Sequence, residues 1–174
     1  MKKISFLFLI TLTSCLWAGG GQDLRTVGHV DISQYIGKWY AIAALPQFFT
    51  RKCVGQTADY GIINPQTISV LNTCLKKKGS SLIDGQAVVV NAVTNAELEV
   101  TFNNFFTRLF RVKGDYNIIK LDADYKFVTI GSRDRKSLWI MSRTPSMPEE
   151  IYQQYVQDAL AQKFPVEKLI RSKF

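Results

Sequence analysis

The sequence predicts an all-β fold, an eight-stranded antiparallel up-and-down barrel with one C-terminal α-helix packed outside. Three observations carry this expectation. The 174 residues include eleven Phe and seven Tyr, an aromatic load that suits sheets better than helices. Short runs rich in Val, Ile, Phe and Tyr follow one another along most of the chain, about eight in all, separated by turns containing Gly, Asn, Asp or Lys. A helical period appears only after the last of them. Strands that succeed one another at this spacing pair as a meander, and eight can close on themselves without exposed edges around room for one small ligand.

The N-terminus comes first. Lys2 and Lys3 precede the apolar run "ISFLFLIT", Ile4 to Thr11, which is too short to span a bilayer at ~20 residues and reads as an export signal. "LTSC", Leu12 to Cys15, follows at once and resembles the bacterial lipobox, in which the cysteine receives lipid. In that pattern Leu16, where Asp would signal retention at the inner membrane, points to the outer membrane. Ordinary cleavage after Ala18 is the alternative and would discard Cys15. The expected organisation is a signal peptide over 1–14, a lipid-anchored linker over 15–26 and a barrel domain over 27–174.

The first strand lies in "GKWYAIAALP", residues 37–46. Strict alternation puts Trp39, Ala41 and Ala43 on one face and Tyr40, Ile42 and Ala44 on the other. One face thus begins with a bulky plug and continues into empty space. A void costs about 24 cal/mol per Å³, so either other residues or a ligand must fill it. The following loop, "LPQFFTRKC", sets Phe48 and Phe49 beside Arg51 and Lys52. These make either an apolar, cationic lip that accepts an acyl chain and holds an anionic head group, or a pair of rings pinning a long loop to the rim.

The second and third strands lie between two cysteines. An exported chain with three cysteines leaves one unpaired; with lipid on Cys15, Cys53 and Cys74 remain as a disulfide pair. They flank runs at about Val54 to Ile63 and Thr67 to Thr73 around the Asn64-Pro65 turn, a hairpin that brings its outer ends together. The register is not symmetric about the turn, so the bond requires a bulge or a loop position for Cys53. The remaining strands are expected in "SLIDGQAVVVN", "AELEVTF", "YNIIKLD", "KFVTIGS" and "SLWIMSR".

The helix is expected over about 148–163. Ile151, Tyr152, Tyr155, Val156, Ala159 and Leu160 share one stripe, and Ser146 with Glu149 matches a capping box. A lone amphipathic helix after eight strands packs outside the sheet.

The formal charge is +8 and falls to about +6 once Lys2 and Lys3 leave with the signal. Apart from Lys76 to Lys78 the basic residues are scattered, which describes a solvated exterior and argues against nucleic acid. Catalytic signals are missing as well. His29 is the only histidine, near a terminus, with no second histidine or cysteine cluster for a metal, no phosphate-cradling glycine loop and no nucleophile elbow. The expectation is therefore no enzyme, no metal and no cofactor.

Gly37-Lys38-Trp39-Tyr40, "LDADY" at Leu121 to Tyr125 and "LWIMSRTP" at Leu138 to Pro145 resemble the three conserved blocks of the lipocalin family, in particular its bacterial outer-membrane lipoprotein branch, related to apolipoprotein D and plant temperature-induced lipocalins. The resemblance spans about residues 27–170. It implies structural roles for Gly37, Trp39 and Arg143, with Trp39 plugging the closed end and Arg143 packed across its ring. Alternation back from Arg143 turns Met141 and Trp139 inward beside Ala41 and Ala43. "FNNFFTRLFRVKGDY", Phe102 to Tyr116, is longer than the bacterial pattern and supplies Phe102, Phe105, Phe106 and Arg108 as further rim residues, with Tyr116 as a hydroxyl for a carboxylate or phosphate. The expected ligand-binding set is Ala41, Ala43, Phe48, Phe49, Arg51, Tyr116, Trp139 and Met141. The expected protein sits on the periplasmic face of the outer membrane and takes a fatty acid or lysophospholipid; the alternatives are a structural envelope lipoprotein whose barrel is filled by its own side chains and, behind it, a lipid-modifying enzyme, and a homodimer stays open.

Overall fold

A computed structural model describes residues 23–103 and 113–174. The export signal, Cys15, and the rim residues Phe105, Phe106 and Arg108 lie outside the described residues.

Eight strands run in sequence order: β1 (Gly37–Ala44), β2 (Gly55–Asn64), β3 (Thr67–Leu75), β4 (Ser80–Val89), β5 (Glu97–Phe102), β6 (Lys113–Leu121), β7 (Phe127–Gly131) and β8 (Leu138–Ser142). Each pairs antiparallel with the next, and β1 pairs with both β8 and β2, so the sheet closes into the expected barrel. Ahead of β1 a single turn, α1 (Ile32–Tyr35), is capped by the Asp31 side chain, which accepts from the Ser33 amide. After β8 comes α2 (Glu149–Ala161). A short strand not expected from the sequence, β9 (Ile170–Arg171), pairs with Ala43 and Ala44 at the end of β1, where β1 has no pairing with β2.

The strict alternation assumed for β1 fails at one place, and the consequences are large. Ala41 faces Met141 across the ladder, but the next paired residue is Ala43, opposite Ile140, so Ile42 is an extra residue in a β-bulge. Past the bulge the faces exchange. Ala43 does not line the barrel interior; it packs with Ile42, Ile140, Met147, Tyr152 and Tyr155 in the core beneath α2. The assignment of Ala43 to the ligand cavity is therefore corrected. A second irregularity lies in β6, between Ile118 and Lys120; Ile118 belongs to the barrel core and Ile119 to a cluster with Leu138, Ala159 and Phe164.

α2 buries Tyr152, Tyr155 and Ala159 against the barrel exterior. Leu160 leaves the expected stripe at 48% exposure. The expected capping box does not form: Pro148 is the N-cap and offers no side-chain bond. The Ser146 carbonyl instead accepts from the hydroxyls of Ser142 and Thr144, and Glu149 is drawn to Arg171 of β9 and to Gln153.

The disulfide forms as expected. Cys53 and Cys74 are bonded, with Cα atoms 5.2 Å apart. The β2–β3 ladder begins at the Gly55–Leu75 pair, so Cys53 lies in the loop, and a bulge between Ile62 and Asn64 takes up the asymmetry about the turn.

Candidate ligand-binding site

The two ends of the barrel differ because different residues close them. At one end the N-terminal segment crosses beneath the strands, held by backbone bonds from Val27 to Ile118 and from Val30 to Thr94. Trp39 and Tyr35 are fully buried there. The indole Nε1 donates to the Tyr35 carbonyl at 2.9 Å. Arg143, coming from just beyond β8, lays its guanidinium 3.9 Å from the centre of the Trp39 ring. Gly37 takes a positive φ of +90°, and a side chain there would crowd the guanidinium at 3.4 Å. Asp122 caps the β6–β7 turn by accepting from the Lys126 and Phe127 amides, and this turn brings Tyr125 to bond the Asp31 amide through its hydroxyl and Arg143 through its carbonyl. The three sequence blocks thus meet at the closed end.

The other end opens into a cavity of about 830 Å³. Its walls include Ala41, Ala58, Val70, Val100, Trp139 and Met141. Ala41 and Ala58 are small residues on adjacent strands, and they leave the space that larger side chains would fill. Trp139 reaches across to Gln56, whose Oε1 lies 3.5 Å from the indole nitrogen.

At the mouth the expected lip divides. Phe48 and Phe49 sit on a single 3-10 turn, 78% and 69% exposed. Phe49 borders the cavity; Phe48 does not, and neither does Arg51, which stacks on Phe48 with its guanidinium carbon 4.2 Å from the ring centre. Phe48 and Arg51 are thus corrected from lining residues to an outer edge. Both rings are largely exposed and not packed down onto the rim. Lys76, Lys77 and Lys78 are in the turn between β3 and β4, at the same end as the disulfide.

Tyr116 lies deeper than its sequence position suggested. Its hydroxyl is 2.6 Å from that of Tyr35 and donates to that of Tyr60 at 3.0 Å. Burial holds all three phenols protonated, with Tyr60 pushed up to about 12 and Tyr35 and Tyr116 raised as well. Sequence reasoning did not select Tyr35 or Tyr60. Alternation along "ADYG" places Tyr60 on one face with Ala58, but only the β1–β2 register shows that this face is the interior.

A family model described as a lipocalin-like domain matches residues 30–173. The chain is 34% identical over 151 residues to temperature-induced lipocalin-1 of Arabidopsis thaliana, covering 85% of this chain and 81% of that protein. It is 31% identical over 170 residues to the outer membrane lipoprotein Blc of Vibrio cholerae, covering 95% of each. In fold it is similar to insecticyanin of the tobacco hornworm Manduca sexta, with a TM-score of 0.69 at 16% identity over 87% of this chain and 85% of that one.

Proposed function

The chain belongs to the lipocalin family, and from that premise we propose that it binds, and carries, a fatty acid or lysophospholipid in the barrel while anchored to the outer membrane through lipid on Cys15. The observation that carries this reading is the cavity of about 830 Å³, in which apolar side chains such as Ala41, Val70, Val100 and Met141 line the space together with polar ones such as Gln56, Asn72 and Lys113. A barrel filled by its own side chains would have no such space. Affinity comes from burying methylenes at ~0.8 kcal/mol each before the entropic costs of binding. The exposed aromatic lip with Arg51, Lys52 and Lys76 to Lys78 nearby suits an acyl chain with an anionic head group. The similarity to an outer membrane lipoprotein along 95% of both chains, with "LTSC" upstream, supports the anchor.

Native mass spectrometry of protein extracted gently from its own host tests the ligand. The expected result is a co-purified lipid of fatty acid or lysophospholipid mass, released on denaturation. Protein recovered empty, and without measurable affinity for either lipid class, would instead make it a structural envelope lipoprotein.

A further inference from the structure

We propose that the inner end of the cavity is a hydrogen-bonding subsite, and that the ligand presents an acceptor oxygen there to a phenolic hydrogen left over by the Tyr35–Tyr116–Tyr60 chain. The inference rests on the reading that the cavity binds a lipid, and adds which chemistry its buried end must carry.

The argument is a count of hydrogens. Three hydroxyls from α1, β2 and β6 are joined by two hydrogen bonds, of 2.6 and 3.0 Å. Each phenol has one hydrogen to give, and two bonds use two of the three. Tyr116 donates to Tyr60; its hydrogen is then spent, so the bond between Tyr35 and Tyr116 must use the hydrogen of Tyr35. The hydrogen of Tyr60 is left. Reversing the chain would strand the hydrogen of Tyr35 instead, on a residue that is fully buried and does not border the cavity. Burying a donor without an acceptor is unfavourable, so the direction in which Tyr116 donates to Tyr60, which delivers the spare hydrogen to the cavity, is the favoured one.

The surroundings of Tyr60 make that hydrogen matter. The residue is only 7% exposed, and both it and Tyr116 border the cavity. The neighbouring lining is apolar, with Ala41, Ala58, Val70 and Met141. The charge below is positive: among the described residues Arg143 has no carboxylate partner and spends its donors on backbone carbonyls. Its field reaches Tyr35 and Tyr60, and at Tyr60 it outweighs the opposing field of the Asp59 carboxylate. A spare donor and an unbalanced cation together favour a ligand oxygen with lone pairs, and disfavour a bare methyl end. Two ligand forms supply that oxygen: a carboxylate entering first, or a hydroxyl or carbonyl at the far end of an acyl chain whose head stays at the mouth.

The test uses the full mature chain and three probes, palmitate, 16-hydroxypalmitate and palmitoyl lysophosphatidylcholine, with affinities measured by calorimetry. Tyr60→Phe alone is insufficient, because the spare hydrogen then passes to Tyr116. The double variant Tyr60→Phe/Tyr116→Phe removes both hydroxyls that face the cavity. A loss of at least tenfold for 16-hydroxypalmitate, with lysophosphatidylcholine unchanged, is the expected result. Palmitate losing affinity as well identifies the carboxylate-first form; palmitate holding its affinity identifies the distal oxygen. Unchanged affinity for all three probes, or an equal loss for all three, overturns the subsite. Failure of the parent to bind any probe is a separate outcome that removes the lipid-binding reading and this inference with it. Should the double variant not fold, the parent suffices: an acceptor-bearing probe must shift the near-ultraviolet tyrosine band to longer wavelength while lysophosphatidylcholine does not, and no shift with any bound probe overturns the subsite.

Discussion

The guanidinium of Arg143 stacks 3.9 Å from the centre of the Trp39 ring while donating to the carbonyls of Gln34, Tyr35, Ile36, Lys38 and Tyr125. One side chain thereby ties the end of β8, the turn of α1, the start of β1 and the β6–β7 turn. Its planar fork is what makes this reachable; a lysine ammonium is a point charge on a flexible stem.

Arg143→Lys is expected to keep the charge and lower stability by about 2 kcal/mol, because most of the carbonyl bonds and the ring stacking go. Trp39→Ala is expected to cost about 3–5 kcal/mol through the cavity it opens. Chemical denaturation measures both. An Arg143→Lys variant as stable as the parent would show that charge alone, not the fork, closes this end.

Ala41 and Ala43, two residues apart, are expected to respond oppositely to the same substitution. Ala41 borders the cavity, so Ala41→Trp is expected to fill ligand space, with affinity for palmitate falling at least tenfold, about 1.4 kcal/mol, and little loss of stability. Ala43 is packed against Ile140, Met147, Tyr152 and Tyr155, so Ala43→Trp is expected to overpack the α2 interface, cost roughly 1–3 kcal/mol and spare affinity in the folded fraction. Thermal melts paired with binding titrations separate the two. The reverse pattern would mean that the bulge at Ile42 is misplaced.

These two alanines also show what was legible in the sequence and what was not. The eight barrel strands, their order and the outer helix follow from patterns carried by neighbouring residues, namely alternation, turn composition and helical period; the disulfide follows from cysteine counting, and the Trp39–Arg143 pair from the family blocks. A bulge is different, since one added residue leaves the local pattern apolar and is decided by pairing with a strand far along the chain. The inner face was therefore followed correctly as far as Ala41 and wrongly at Ala43. The tyrosine chain was hidden for the same reason: Tyr35, Tyr60 and Tyr116 come from three separate elements and meet only when the barrel closes. The helix cap was misread because the helix starts after Pro148, later than a box on Ser146 requires, and Glu149 instead pairs with Arg171 on a strand too short to be seen in the sequence.

The bond between Cys53 and Cys74, 21 residues apart, anchors the aromatic lip to β3. Replacing both by Ser is expected to lower stability by roughly 3 kcal/mol on the chain-entropy model while the barrel still forms. Denaturation of the double Ser variant, with circular dichroism to confirm the sheet, is the measurement. Loss of the fold itself would show that this bond does more than restrict the unfolded chain.

Asp31 provides an acid-side test. Hydrogen bonds from the Ser33 side chain, the Gln34 side chain and the Ser33 amide hold its carboxyl at about 2, below its ordinary 3.8. A depressed pKa in the folded state stabilises it above the unfolded value, and that contribution is lost as pH falls from near 4 toward 2. Asp31→Ala is therefore expected to be less stable than the parent at neutral pH, with the gap closing across that window. A gap that stays constant from pH 6 to pH 2 would place the effect in packing, not in the carboxylate.

The buried tyrosines predict the opposite limit. Burial raises Tyr35, Tyr60 and Tyr116 above their ordinary 10, Tyr60 to about 12. In the unfolded chain these phenols ionise near 10, whereas in the folded chain they keep their hydrogens. Stability from this source is thus complete below pH 10 and is lost as pH rises toward 12 and beyond, since ionisation draws the equilibrium to the unfolded state. Stopped-flow jumps to pH 11.5, followed by phenolate absorbance, are expected to show a fast phase from accessible tyrosines and a slow one that keeps pace with loss of the near-ultraviolet dichroism. Tyr60→Phe/Tyr116→Phe is expected to shrink the slow phase and flatten the fall in stability between pH 10 and 12. If all phenolate absorbance instead appears in the fast phase with the barrel intact, the three hydroxyls exchange freely with solvent, and the low-dielectric inner end that the ligand subsite requires does not exist.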